Sequence, residues 1–267
     1  MFRVARRVAS AVASAPLQEV WFAFPALQAR AGELVGRRIR GVDTLGKALL
    51  IHFDDGPTIY THNQLYGRWM FSEPDRRPDT RRQLRLALSG PKRSALLYSA
   101  STIEWIEPGQ LADHPFIQRA GLDVLSSQAS VEDITAWVSK PQFARRRLGH
   151  LLLDQSFLAG IGNYLRSEIL FDAGLHPQLR PCDLNTTALH TFASVVHRLL
   201  WRSVETGGIT NEPERVAALK AAGWRRREYR HFAFARSGQA CFRCDSAIER
   251  SEISGRRLYR CPGCQHL

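Results

Sequence analysis

Two pairs of cysteines constrain the fold of this chain more than any other feature of its sequence. Cys241 and Cys244 form a CFRC motif, Cys261 and Cys264 form a CPGC motif, and sixteen residues separate the pairs. Each motif can bend into a tight knuckle that aims two thiolates at one point, and the stretch between them is long enough for a β-hairpin. Four thiolates leave no open coordination position, so the spacing predicts one structural Zn²⁺.

The same cysteines have an alternative interpretation, in which they form two disulfides or two reactive dithiols. Two CxxC pairs at this distance are a strong metal signal, and the chain shows no recognisable secretory signal, so we favour the metal. The fifth cysteine, Cys182, stands alone in RPCDLN, and we expect it to be a small buried residue.

Upstream of the cysteines, the hydrophobic pattern changes its period once. Short alternating runs between residues 17 and 106 predict strands. These runs are QEVWFAF, RRIRGVDTL, KALLIHF, PTIYTHN, GRWMF, QLRLALS and TIEWIE. The turn residues DDGP at 54–57 predict a hairpin between KALLIHF and PTIYTHN. After 119–130 the spacing becomes helical, and the predicted helices are VEDITAWVS, PQFARRRLGHLLLD, GNYLRSEILFDAG and NTTALHTFASVVHRLLWRSVE, the last with Asn185 as its N-cap.

The balance of charge indicates the kind of partner. The chain has 37 Lys and Arg and 25 Asp and Glu, which gives a net charge of +12. This charge favours a polyanionic partner, and nucleic acid is favoured over membrane. Arginines cluster at 75–85, 144–150 and 224–232. One such cluster is more often a solvated face than a binding site, whereas three together favour binding. No apolar run is long enough to span a bilayer.

The first residues, MFRVARRVAS, predict an amphipathic helix. Val4, Val8 and Val12 recur at every fourth position, and the arginines fall on the other side. Organelle transit peptides have a similar Arg-rich and Ser-rich composition, so a targeting segment is an alternative interpretation.

A glycine-rich junction lies in LLLDQSFLAGIGNYLRSEIL, residues 151–170. Gly160 and Gly162 separate two helical patterns, and a tight turn there lets backbone amides and the next helix approach a phosphate closely. Asn163 adds a side-chain donor at the same point. Two helices joined by a glycine turn, without any ligand, are the alternative.

The quoted stretches together resemble the formamidopyrimidine-DNA glycosylase and endonuclease VIII family. LDQSFLAGIGNYLRSEIL resembles the family's helix-two-turns-helix segment, and CFRC…GRRLYRCPGCQ resembles its C-terminal zinc finger. The motifs similar to the endonuclease VIII branch are VWFAFP, TLGKALL, THNQLYGRW, LLYSAS and DHPFIQRAGLDVL. The resemblance runs from about residue 16 to the end of the chain.

The resemblance implies an α+β fold with three parts. These are an N-terminal β-sandwich-like domain with an opening helix, a C-terminal helical helix-two-turns-helix domain, and a zinc-finger β-hairpin with four cysteine ligands. The expected boundaries are 1–118 for the strand-rich glycosylase domain, 119–130 for a linker, 131–225 for the helix-two-turns-helix domain and 226–267 for the zinc finger.

The resemblance also implies base excision repair. We expect a DNA glycosylase that removes oxidised pyrimidines from double-stranded DNA and then cleaves the abasic site, which requires the damaged nucleotide to rotate out of the stack. A glycosylase for oxidised purines and formamidopyrimidines is the alternative, and the NQLY sequence at 63–66 argues against it. We expect a monomer in the bacterial cytoplasm with no membrane partner.

Four residues of the first half match positions with roles in the family. Gln64, Leu65 and Tyr66 match the loop that fills the void left by the flipped nucleotide, with Leu65 as an apolar wedge and Tyr66 able to stack. Lys47 matches the lysine that contacts a phosphate near the lesion and assists the sugar chemistry.

Three residues of the second half match as well. Asn163 matches a ligand of the DNA backbone, and Arg256, at the tip of the zinc hairpin, matches the arginine that grips phosphates beside the flipped nucleotide. Glu168 matches a helix carboxylate near the active centre, and a local pairing with Arg166 is its structural alternative.

The start of the sequence departs from the family pattern. Family members begin with proline and glutamate before the first helix, and the proline amine attacks the sugar carbon. Neither residue is present here, and the sequence is about six residues shorter than the family when counted back from VWFAFP. We favour an upstream translation start and a complete glycosylase and lyase; a DNA-binding protein that recognises damage without excising it, or a targeting segment, are the alternatives.

Overall fold

The computed structural model describes residues 1–64 and 66–267, which form two compact units, Met1–Arg119 and Ala120–Leu267. The helices and strands of the first unit are α1 (Phe2–Val12), β1 (Glu19–Phe22), α2 (Pro25–Gln28), β2 (Ile39–Leu45), β3 (Ala48–Phe53), β4 (Thr58–His62), β5 (Arg68–Ser72), β6 (Leu84–Ser89), β7 (Ser94–Tyr98), β8 (Thr102–Ile106) and α3 (Pro115–Arg119). Those of the second unit are α4 (Val131–Val138), α5 (Leu148–Leu151), α6 (Asn163–Asp172), α7 (Thr186–Thr206), α8 (Pro213–Ala221), α9 (Arg226–Tyr229), β9 (Glu249–Ile253) and β10 (Arg256–Arg260).

Two antiparallel four-stranded sheets build the first unit, with the orders β1-β6-β7-β5 and β2-β3-β4-β8. One hydrophobic core joins them, with Leu86 and Leu97 contributed by one sheet and Leu49 and Ile51 by the other. Alternating residues of each strand face this core, as the alternating sequence pattern predicts. The sandwich-like fold and the predicted hairpin of β3 and β4 are therefore confirmed.

The predicted opening helix is also confirmed. Its apolar stripe buries Ala5, Val8 and Val12 in the core of the first unit, whereas Arg6 and Arg7 are exposed. The helix has no side-chain cap, so packing of this stripe is its main stabilisation.

Helices α4, α6 and α7 of the second unit form where the 3.6-residue spacing predicts them. Asn185 caps α7 as expected, because its side chain accepts a hydrogen bond from the backbone amide of Ala188 at 2.8 Å. Ser130 and Asp133 add a capping box to α4. These helices enclose a separate core whose largest members include Phe143, Phe157 and Phe192.

Two local predictions are wrong. PQFARRRLGHLLLD yields only the short helix α5, because the amides of Leu148 and Gly149 donate to the carbonyls of Leu179 and Pro177 instead of continuing a longer helix. Cys182 is exposed rather than buried. Among the described residues, no helix combines the length and apolar character needed to cross a membrane.

Candidate nucleic-acid interface and metal centre

The hairpin of β9 and β10 turns through two residues, Ser254 and Gly255, with φ angles of 56° and 65°. Two successive positive φ angles define the tight turn that suits the twist of antiparallel strands, and glycine adopts them without strain. Arg256 follows the turn directly and its side chain is exposed. The turn therefore presents this guanidinium at the end of the hairpin.

Helix α6 holds the backbone of this hairpin through one of its faces. The Asn163 side-chain amide donates to the Arg257 carbonyl at 2.8 Å, and the Ser167 hydroxyl accepts from the Tyr259 amide at 3.1 Å. Arg166 lies between these two residues in the sequence, and positions three and four apart share a helix face. The start of α6 and strand β10 thus form one hydrogen-bonded framework.

Arg166 is the centre of that framework. The whole residue is buried, and its guanidinium donates to the Asn163 side-chain oxygen at 2.8 Å and to the carbonyls of Arg256 at 3.1 Å and Arg257 at 3.2 Å. It also donates to the carbonyls of Gly149 and Ile253. Burial, and then the charge of Arg256, lower the pKa of Arg166 to about 10, so the guanidinium stays charged at neutral pH.

The sequence predicts for Arg166 only a local pairing with Glu168. The structure gives the two side chains different roles, because Arg166 binds the hairpin and Glu168 binds another segment. One feature of the sequence points to this role of Arg166: it lies three residues after Asn163, which places both side chains on one face of α6.

The carboxylate of Glu168 is fully buried and accepts four hydrogen bonds. One comes from the Thr210 hydroxyl at 2.5 Å, and three come from the backbone amides of Phe232, Ala233 and Phe234 at 2.8 to 2.9 Å. Burial raises the pKa of Glu168, and the four donors oppose that rise. The carboxylate therefore fixes the segment 232–234 and the residue Thr210 against α6.

His231 belongs to the same buried cluster. Its Nδ1 lies 2.9 Å from the Thr210 hydroxyl, and its ring lies 5.2 Å from that of Tyr164. Burial, and then the charges of Arg230 and Arg226, lower the pKa of His231 to about 3. The imidazole is thus neutral at pH 7, and neither Thr210 nor His231 stood out in the sequence because no spacing connects them to Glu168.

In the first unit, the residues 63–67 connect β4 to β5. The Gly67 amide donates to the Asn63 carbonyl at 2.7 Å, and a β-carbon on Gly67 would meet that carbonyl oxygen at 2.6 Å. Gln64 has φ of 47°, and Tyr66 is 71% exposed. Leu65, the predicted wedge, lies outside the described residues. The tight turn leaves the Tyr66 ring in solvent.

Lys47 lies in the turn between β2 and β3, directly before Ala48, which pairs with His62. Burial, and then the positive charge of Lys47, lower the pKa of His62. His62 in turn accepts from the Gln64 amide at 3.1 Å through its Nδ1. The turn that carries Lys47 and the residues 63–67 are therefore at the same end of their sheet.

The four paired cysteines come together in the second unit. Their Sγ atoms all lie within 4.8 Å of one another. Three of these separations, Cys244–Cys261 at 3.3 Å, Cys244–Cys264 at 3.4 Å and Cys241–Cys264 at 3.8 Å, exceed the roughly 2.05 Å of a disulfide. A tetrahedral metal with sulfur ligands at about 2.3 Å needs separations of about 3.8 Å. The cluster therefore fits a metal ion and does not form the alternative disulfides.

The clustered arginines of the sequence have mixed roles. Arg146 pairs with Asp154 at 2.6 Å, and Arg230 donates to the Gly208 carbonyl at 2.7 Å while its guanidinium lies over the Tyr164 ring. The side chains of Arg225 and Arg227 are exposed. Part of the basic charge thus holds the fold, and part remains available to a polyanion.

Comparison with known proteins gives consistent results for both units. Residues 2–100 match the formamidopyrimidine-DNA glycosylase N-terminal domain, and residues 121–214 match the formamidopyrimidine-DNA glycosylase H2TH domain. The chain is 42% identical over 264 residues to Endonuclease 8 of Shigella sonnei (strain Ss046), covering 99% of this chain and 97% of that protein. It is equally similar to Endonuclease 8 of Escherichia coli (strain K12 / DH10B).

Solved structures share the fold. A complex of Lactococcus lactis Fpg (MutM) with FAPY-dG-containing DNA has a TM-score of 0.80 at 18% identity, covering 100% of this chain and 98% of that chain. A complex of Lactococcus lactis Fpg with abasic-site DNA has a TM-score of 0.79 at 21% identity with the same coverage.

Proposed function

The chain belongs to the formamidopyrimidine-DNA glycosylase and endonuclease VIII family of DNA glycosylases and abasic-site lyases, which repair oxidised bases, and from this premise we propose that it acts on oxidised pyrimidines in duplex DNA. Similarity to Endonuclease 8 over nearly the whole chain supports the pyrimidine preference. The NQLY sequence at 63–66 supports it as well.

The hydrogen-bonded framework of α6 and the hairpin supports DNA binding by this unit. It joins Asn163, the proposed backbone ligand, to Arg256, the proposed phosphate grip, through the buried guanidinium of Arg166. Contacts to phosphates position a duplex without reading its sequence. That property suits an enzyme that meets its lesion in any sequence context.

In the first unit we assign Gln64, Leu65 and Tyr66 to the space left by the extruded nucleotide. Tyr66 has an exposed ring for stacking on a base, and the φ of Gln64 supports a tightly turned loop. We assign Lys47 to a phosphate near the lesion and to the sugar chemistry. Its place at the same end of the sheet as residues 63–67 supports this role.

Glu168 remains a predicted member of the catalytic set. Its carboxylate already accepts four hydrogen bonds inside the protein, which supports action through the segments it holds rather than on the sugar. Neutral His231 and Thr210 complete this buried cluster.

We propose that Cys241, Cys244, Cys261 and Cys264 hold one Zn²⁺. With four thiolate ligands the ion supplies structure and no open position for chemistry. It would fix the first and last residues of the segment that contains β9 and β10. A cytoplasmic, monomeric protein remains our prediction, and the bacterial source of the relatives supports the location.

The test uses three duplexes that carry one 5-hydroxyuracil, one 8-oxoguanine or one preformed abasic site. For the protein that carries the family's N-terminal proline and glutamate ahead of α1, we expect strand cleavage at 5-hydroxyuracil about tenfold faster than at 8-oxoguanine, and borohydride trapping of the protein on the abasic duplex. Faster cleavage at 8-oxoguanine would establish the purine alternative. Selective binding without cleavage or trapping would establish a damage-binding protein.

A further inference from the structure

Arg82 contacts the loop 63–67, and none of the residue roles implied by the family resemblance involves this arginine. Its Nη1 donates to the backbone carbonyl of Tyr66 at 2.7 Å, across sixteen residues of sequence. The Arg82 residue stands two positions before β6, and the carbonyl of Gln83 between them accepts from the Ser99 amide at 2.8 Å. The guanidinium thus reaches the loop from a backbone that is tied into the sheet.

The loop is held at both ends, and Arg82 provides the second attachment. At the first end, the Gln64 side chain donates to the Thr102 hydroxyl at 3.0 Å and the Gln64 amide donates to His62. At the second end, Tyr66 has a side chain that is mostly in solvent, so core packing does not fix it. The carbonyl bond from Arg82 restrains the backbone of Tyr66 directly.

We propose that Arg82 is the positioning residue for Tyr66, holding its backbone so that the ring is presented to DNA from one backbone position before binding. The inference rests on the proposed function of Tyr66 as a void-filling residue. A guanidinium donor makes a stronger hydrogen bond to a carbonyl than a neutral donor does. Ordering the residue in the free protein lowers the entropy lost when the ring inserts.

Arg81 offers a matched control for the charge. It lines the same cleft as Tyr66 and Arg82, and it carries the same charge one residue earlier in the chain. Removing either arginine weakens general attraction to DNA by a similar amount, because that attraction depends on charge. Only removal of Arg82 also releases the Tyr66 carbonyl.

The experiment measures binding of the full chain to a duplex with one tetrahydrofuran abasic analogue opposite 2-aminopurine, and to the same duplex without the lesion. The fluorescence of 2-aminopurine rises when protein side chains unstack it. We expect Arg82→Ala to lose about tenfold of the preference for the lesion duplex and most of the fluorescence rise. Arg81→Ala keeps both, and Arg82→Lys, which retains a charged donor, recovers part of them.

A double mutant tests whether Arg82 acts through Tyr66. In a Tyr66→Ala background, Arg82→Ala should cost no more preference than Arg81→Ala costs, because the ring it positions is gone. Equal losses for Arg81→Ala and Arg82→Ala in the wild-type background would overturn the positioning role while leaving the proposed function intact. A wild-type protein without any preference for the lesion duplex would overturn both.

Discussion

The hairpin of the second unit and the loop 63–67 of the first unit both carry residues that we assign to DNA, and the chain holds them differently. Buried groups hold the hairpin, because Arg166 binds its carbonyls and Ser167 binds the Tyr259 amide. Four cysteines, two of them buried, gather at its base. Surface hydrogen bonds from Gln64 and Arg82 hold the loop.

The difference follows from what each element must do. A two-stranded hairpin is marginally stable alone in water, so one that grips phosphates needs a rigid support. A residue that enters the DNA stack needs an exposed side chain, so its restraint must act on the backbone.

Metal removal should give the largest effect. Structural zinc contributes about 10 to 16 kcal/mol in small zinc-finger peptides, so a chelator should release the hairpin and abolish DNA binding. Trypsin should then cut after Arg257 and Arg260, while the sites in the first unit remain protected. Full DNA binding by the protein after complete metal loss, shown by metal analysis, would contradict the structural role.

Arg166→Met should give the next largest effect. The methionine fills similar space without any donor, so the Asn163 side-chain oxygen and the hairpin carbonyls lose their partner. We expect a loss of about 3 kcal/mol in the free energy of unfolding and weaker binding to all duplexes. Urea unfolding measures the first quantity. Arg166→Lys keeps the charge but has fewer donors, so its stability should lie between those of the wild type and Arg166→Met. Wild-type stability and DNA binding in Arg166→Met would show that Arg166 does not support the framework.

Acid should destabilise the second unit through His231. Its pKa in the folded protein is lowered to about 3, so the unfolded chain takes up a proton near pH 6.5 and the folded chain does not. The stabilisation is complete above pH 6.5 and is lost as the pH falls towards 3, with about 2 kcal/mol lost by pH 5. Glu168 works in the opposite direction because its pKa is raised.

The variant His231→Gln removes this titration and retains a polar side chain near Thr210. The difference in unfolding free energy between wild type and variant isolates the histidine, because Glu168 titrates in both proteins. We expect that difference to change by about 2 kcal/mol between pH 7 and pH 5. A constant difference would show that His231 is not held neutral.

The smallest effect is expected for Arg256→Ala. The exposed guanidinium contributes little to folding, so the unfolding midpoint should stay unchanged. Binding should weaken for every sequence, and the slope of log affinity against log salt should fall by about one. Arg250→Ala is the matched control, since Arg250 is also exposed on the hairpin and lies opposite Tyr259, away from the turn. Equal slopes for the two variants would remove Arg256 from the phosphate contacts.

Local sequence patterns predicted the elements that depend on local physics. The apolar stripe of α1, the Asn185 cap and the hairpin of β3 and β4 all follow from side-chain periodicity and turn chemistry. The segment at 141–154 did not follow, because its backbone groups bind residues about thirty positions away. Sequence spacing cannot report such partners.

The candidate site also contains residues that local motifs predict and residues that only distant contacts reveal. The cysteine spacing predicted the cluster of four cysteines, and motif resemblance predicts DNA contacts for Asn163, Arg256 and residues 63–67. The residues that support them, Arg166 and Arg82, are ordinary arginines in a basic sequence. Their importance comes from which carbonyls they reach in the folded chain.

The sequence by itself determined the family, the strand-rich and helical regions and the clustering of the four paired cysteines, because motifs and periodicity are properties of neighbouring residues. Tertiary structure alone decided that Arg166 is buried beneath the hairpin, that Glu168 is used entirely inside the protein, and that Arg82 holds Tyr66. Each of these depends on groups distant in sequence that are paired only after folding brings them together.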